Sequence, residues 1–260
     1  MPEPRSVLVE ACVATVASAL AAESAGAGRL ELCGDLVEGG ITPSYGMLTR
    51  VVERVTLPVS VLIRPRGGDF LFDGDESEVM LRDIAAARTA GARGVVIGAL
   101  DREGRIDREL TRRLADAARP MEVTFHRAFD LAQDPSLALE TLIGLGVERL
   151  LTSGQAPSAL RGVETIAALV RQADDRITVM AGGGINEANA ARVVSETGVR
   201  EIHIGATGFL DSPMEFRRED VFMGKPYQPD EYRRVETDAE RVGVIVRSVN
   251  GERSTVNGQR

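Results

Sequence analysis

The chain predicts a single (β/α)8 TIM barrel of the α/β class. Strand and helix patterns alternate eight times from end to end. They do so over about 250 residues, the usual length of such barrels. A glycine-led turn also recurs before every even-numbered strand, as Gly26-Ala27-Gly28-Arg29, Gly91-Ala92-Arg93-Gly94, Gly146-Val147-Glu148-Arg149 and Gly198-Val199-Arg200-Glu201. Each places a glycine where a helix ends in the left-handed region. A doubly wound open sheet is the alternative, but its usual strand count is lower.

The first strand is read at Ser6–Cys12, followed by an alanine-rich helix ending at Gly26. The second strand is Arg29–Cys33. Thr42-Pro43 has the form of a cap with proline at the first helical position, and Leu48, Val51, Val52 and Val55 share one face. The third strand starts at Val59 and is stopped by Pro65, which cannot donate to a ladder. Asp75 with Glu78 opens the next helix, whose stripe is Met80, Ile84 and Ala87. Gly94–Leu100 is the fourth strand, and Ile106, Leu110, Leu114 and Ala117 mark the helix after it. Glu122–Ala128 is the fifth, with Asp134-Pro135 opening a helix. Arg149–Ser153 precedes a helix over Ser158–Gln172. Ile177–Ala181 precedes one over Asn186–Glu196. Glu201–Gly205 is the eighth strand, and a last helix is read over Asp230–Arg247. The barrel domain spans residues 1–249, and the polar tail Asn250–Arg260 is expected to be disordered.

With 260 residues, 43% of them apolar, the chain has ample material for one core. A net charge of −8 and a pI near 5.0 argue against nucleic acid or an anionic membrane as partner. Two cysteines do not make a disulfide framework, so a reducing, cytoplasmic location is expected. Val7–Ala22 resembles an export signal, but Glu10 interrupts it, and no apolar run reaches the ~20 residues that span a bilayer.

In such a barrel, chemistry sits at the C-terminal strand ends. Side chains alternate there between the interior and the apolar helix layer, so late polar residues face the mouth. This selects Glu10 and Cys12, Glu31 and Cys33, Arg64 and Arg66, Thr124 and His126, Thr152, and His203. Glu10, Glu31, His126 and His203 are candidate acid/base groups. The paired glutamates should repel, raising one pKa unless an arginine intervenes. The alternative is an ion network with Arg64 that only holds the barrel together. Arg64 and Arg66 suit a carboxylate or phosphate. The glycine turns after the last two strands, Gly182, Gly183 and Gly184 and then Gly205–Gly208, offer backbone donors to the same anion. Cys12 and Cys33 stand at matching heights and could hold a soft ion such as Cu(I), although buried cysteine also serves as a small apolar residue.

The strings LELC (Leu30–Cys33), EGGITP (Glu38–Pro43), IRPRGGDF (Ile63–Phe70), TFHRAFD (Thr124–Asp130), LTSGQ (Leu151–Gln155) and MAGG (Met180–Gly183) resemble the CutC copper-homeostasis family. The similarity runs from about Val7 to Val246. It implies a cytoplasmic, homo-oligomeric TIM barrel associated with copper tolerance and Cu(I) binding, with Cys12 and Cys33 matching the copper ligands proposed in that family. It also places Glu10, Glu31, Arg64, Arg66, His126 and His203 in the polar mouth. Two functional readings follow: copper homeostasis, or an enzyme acting on a phosphorylated or carboxylated small metabolite. A scaffolding oligomer is the third and fits the charged strand ends least.

Overall fold

The computed structural model describes residues 6–218, 220–221 and 231–251. Eight parallel strands close into a barrel: β1 (Leu8–Val13), β2 (Arg29–Leu32), β3 (Val59–Leu62), β4 (Gly94–Ile97), β5 (Glu122–Phe125), β6 (Arg149–Thr152), β7 (Thr178–Gly182) and β8 (Glu201–Ile204). The ring closes between β1 and β8, with Glu10 opposite His203. Helices α1 (Val16–Ser24), α2 (Tyr45–Arg54), α3 (Gly74–Thr89), α4 (Arg108–Ala118), α5 (Pro135–Gly144), α6 (Val163–Ala173) and α7 (Ala190–Thr197) follow the first seven strands in turn. This is the (β/α)8 TIM barrel that the sequence predicts. The four glycines of the recurring turn all adopt positive φ, from +70° at Gly146 to +92° at Gly26. Among the described residues no helix is long and apolar enough to cross a membrane.

The helices bury the faces their periodicity marks: Leu48 and Val51 on α2, Met80, Ile84 and Ala87 on α3, Leu110 and Leu114 on α4. Their starts are set by side-chain caps, and several differ from the sequence reading. The α2 cap is Ser44, because the Thr42 hydroxyl is occupied by the Arg64 N–H at 2.9 Å. The α3 cap is Asp73, which forms a reciprocal capping box with Glu76 that satisfies two amides at once. Before α7, the Asn186 and Asn189 side chains accept backbone N–H groups in a turn, so the helix begins four residues later than expected.

The largest departure follows β8. Thr207–Asp211 forms β9, which pairs antiparallel with β10 (Arg233–Thr237) outside the barrel. The helix expected over Asp230–Arg247 is therefore a strand followed by α8 (Ala239–Asn250), capped by Asp238. Glu236 on β10 accepts hydrogen bonds from Thr15 and Ser18 at the start of α1, at 2.5 and 2.6 Å. These bonds fix Glu236 to the barrel rim and favour the extended backbone. At the other end Asn250 bonds both the N–H and the carbonyl of Val7. Most of the polar tail, residues 252–260, lies outside the described residues.

Candidate functional site

The barrel interior carries charge in tiers. At its floor, Arg29 bonds Glu10 and reaches Glu201 at 2.5 Å. Arg149 bonds the same Glu201 at 2.6 Å, Glu122 at 3.3 Å and the Thr124 hydroxyl at 3.2 Å. Arg29, Glu122, Arg149 and Glu201 are the first residues of their strands. Reading only the late ends missed them, although the two-residue period from Glu31, Thr124 and His203 leads back to three of the four.

His203 lies above this floor, between the two glutamates. Its Nδ1 is 2.8 Å from Glu10 and its Nε2 is 3.7 Å from Glu31. Burial opposes charge on Glu10, but the bonds from His203 and Arg29 outweigh it and hold the carboxyl at about 2. Glu31, buried and close to Glu10, is shifted up despite His203. His203 is itself raised, because the two carboxylates overcome its burial. One pKa of the glutamate pair thus rises, and Arg29 with His203, rather than Arg64, separates the charges.

Cys12 and Cys33 stand beside Glu31, with Sγ atoms 3.3 Å apart. The bond to Cys33, burial and the nearby Glu31 push the Cys12 thiol well above its ordinary range. Cys33 also reaches the Val13 carbonyl at 3.7 Å. The two sulfurs and a Glu31 oxygen lie within 4.8 Å of one another, a donor set that a soft metal ion could use.

At the mouth, Arg64 is buried and donates only to neutral carbonyls: Nη1 to Glu38 and Gly40 at 2.9 Å, Nη2 to Gly68 at 2.7 Å. Its Nε has no partner. Phe70 packs against both the guanidinium and the His126 ring, each with a separation of 4.9 Å. His126 caps the turn after β5, its Nδ1 accepting the Ala128 N–H at 3.0 Å, and its Nε2 has no partner. Burial, then the Arg64 charge, lowers its pKa to about 3, so the ring is neutral at ordinary pH. The ring lies so close to Gly98 that any side chain there would collide with it.

Arg127, adjacent to His126, donates to Asp130 at 2.7 Å and to Ser153 at 2.9 Å. Asp130 also accepts from Thr152, Ser153 and Gln155, tying the loops after β5 and β6 together. Neither Arg127 nor Asp130 was selected from the sequence, because both follow the strand, where alternation no longer applies. Their spacing of three in TFHRAFD is the signal that could have found them.

Glu31, Arg64, His126, His203, Cys12, Gly183, Gly184 and Gly205 all line one cavity of about 250 Å³, together with Arg127. Glu10, Cys33 and Gly182 stand behind its wall. Arg66 is elsewhere: it bonds Glu76 at 2.5 Å and Asp69 at 3.2 Å, bracing the loop that leads to α3. The expected shared face of Arg64 and Arg66 is lost because β3 ends at Leu62, before the period could carry so far. Thr207 and Gly208 belong to β9, so the glycine turn after β8 contributes Gly205 alone to the lining.

The CutC family matches residues 7–208. The mouse copper homeostasis protein cutC homolog is 51% identical over 92% of this chain and 88% of its own length. The human homolog is 50% identical over 92% and 87%. The crystal structure of the Streptococcus agalactiae copper homeostasis protein CutC superposes with a TM-score of 0.72 at 33% identity, covering 76% of this chain and 97% of that one. Phosphoribosylanthranilate isomerase from Thermotoga maritima, with a TM-score of 0.57 at 13% identity over 95% of this chain and 100% of its own, shares the fold alone. This chain belongs to the CutC family.

Proposed function

We propose that this protein serves copper homeostasis in the cytoplasm by holding Cu(I) between Cys12 and Cys33, and that it acts as a homo-oligomer. One observation carries the copper assignment: two thiols at the ends of neighbouring strands lie 3.3 Å apart, and one of them, Cys12, lines a cavity. Sulfur is the soft donor Cu(I) selects, and a two-sulfur site with one carboxylate nearby is poorly suited to hard cations. The names of the mouse and human relatives support the same reading. Binding replaces the thiol protons, and removing those protons frees the sulfur lone pairs for the metal. Glu31 stands beside the pair, with His203 3.7 Å beyond it, and the two can accept or return protons as the ion enters or leaves.

Competition with a chromogenic Cu(I) chelator tests this. Wild type should withdraw Cu(I) at one equivalent, and Cys12→Ser/Cys33→Ser should lose at least tenfold in affinity. Equal affinity in the two proteins would exclude these ligands.

A further inference from the structure

The thiol pair accounts for one wall of the cavity and leaves the opposite side without a role. We propose that this second side binds a small oxyanion, a phosphate or carboxylate group, between Arg64 with His126 and Arg127 with the turn Gly183–Gly184.

The proposal rests on donors that the fold leaves unused. Arg64 and His126 are each 6% exposed. Each nevertheless keeps one N–H without an acceptor, at Arg64 Nε and His126 Nε2. For His126 the assignment follows from its other nitrogen. Nδ1 accepts the Ala128 N–H, so in the neutral ring the proton sits on Nε2, which can only donate. Buried donors without partners are rare in folded proteins, because each gives up its hydration for nothing. Two of them on residues that line one cavity and pack on the same Phe70 ring, one of them a permanent cation, mark a place that an acceptor should fill.

The surroundings add to this. The Arg64 fork is fixed by carbonyls, which orient it without cancelling its charge, and the nearby Glu38 carboxylate offsets that charge only in part, since burial still lowers the Arg64 pKa. Arg127 is fixed by Asp130 and Ser153 and extends over Gly183; its guanidinium lies 3.2 Å from where a β-carbon on that residue would stand. A glycine there lets the cation lie close to the backbone. Gly183 and Gly184 hold φ of +97° and +72°. Among the described residues, their N–H groups and that of Gly205 make no backbone hydrogen bond. Consecutive amides in such turns form a concave anion seat. The lining therefore offers two guanidinium groups, one imidazole N–H and backbone amides to one small space. Glu31, the carboxyl group that also lines it, is engaged by His203. The cavity, about 250 Å³, has room for a small metabolite.

None of this depends on the cysteines, so the two proposals can fail separately. The test is thermal shift on the full chain without copper, with inorganic phosphate, glycerol phosphate and malonate, against potassium chloride at matched ionic strength. At least one oxyanion should raise the melting temperature beyond the chloride control, and Cys12→Ser/Cys33→Ser should show the same rise. A response to inorganic phosphate or glycerol phosphate but not malonate would assign the seat to phosphate, and one to malonate alone to carboxylate; either outcome supports the site. Arg64→Gln should weaken the response at least tenfold in apparent affinity. Arg127→Gln, at a half-exposed position, should do the same and serves if Arg64→Gln does not fold. No rise above chloride with any of the three anions, or an equal rise in wild type and both arginine variants, would overturn the proposal.

Discussion

Arginines occupy both the floor and the mouth of this barrel, and the two settings treat them differently. Arg29 and Arg149 at the floor are each bonded by carboxylates. Arg64 at the mouth is held by carbonyls, keeps its charge uncancelled by any direct bond to a carboxylate, and has an N–H to spare. Charge at the floor is closed on itself, so it can only hold strands together. The charge of Arg64 is oriented but incomplete, so it can recognise something else, whereas Arg127 beside it at the mouth is paired with Asp130. Burial alone does not separate the two cases, since Arg29 is 4% exposed and Arg64 6%. What separates them is the nature of the acceptors.

The most severe way to break this contrast is to remove Arg29. Arg29→Met leaves Glu10 fully buried with His203 as its remaining partner, and breaking a buried pair costs about 3–5 kcal/mol. Urea unfolding should show a loss of that size. A loss below ~1 kcal/mol would mean that the floor network is not what holds the strands in register.

Acid should expose the same network. The folded pKa of Glu10, about 2, lies below its ordinary value of 4.5. Its contribution is therefore fully present above about pH 4.5 and is lost as pH falls through 2. The difference corresponds to roughly 3 kcal/mol. Glu31, shifted the opposite way, works against this trend, so the comparison must be with Glu10→Gln. Stability measured by urea unfolding between pH 5 and pH 2 should fall more steeply in wild type than in that variant. Parallel profiles would contradict the assignment.

The smallest effect should come from Arg66. Its pair with Glu76 is partly exposed, so Arg66→Ala should cost no more than about 1 kcal/mol by urea unfolding. It should leave any oxyanion-dependent thermal shift unchanged. If Arg66→Ala removed that shift as Arg64→Gln is expected to, the distinction between cavity and loop arginines would fail.

The alternation of side chains along β1, β2 and β8 made much of the interior legible. Glu10, Glu31, Cys12 and His203 were placed by parity because a strand in a closed barrel has only two directions in which to point a side chain. Parity placed Arg66 wrongly and did not select Arg127, since each lies beyond the last residue of its strand. There the backbone turns, and local bonds to Glu76 or Asp130 decide where the guanidinium goes. β9 and β10 were invisible for a related reason. The bonds from Thr15 and Ser18 to Glu236 join residues more than two hundred positions apart, and no local pattern records them.

By itself the sequence determined the (β/α)8 architecture, the left-handed glycine turns and the clustering of polar groups at one rim, because period, cap chemistry and burial act over a few residues. The tertiary structure alone decided which charges are matched and which are left with donors to spare. That outcome depends on the acceptors brought close by closing the ring, as when the carbonyls of Glu38, Gly40 and Gly68 take both terminal nitrogens of Arg64 and leave its Nε.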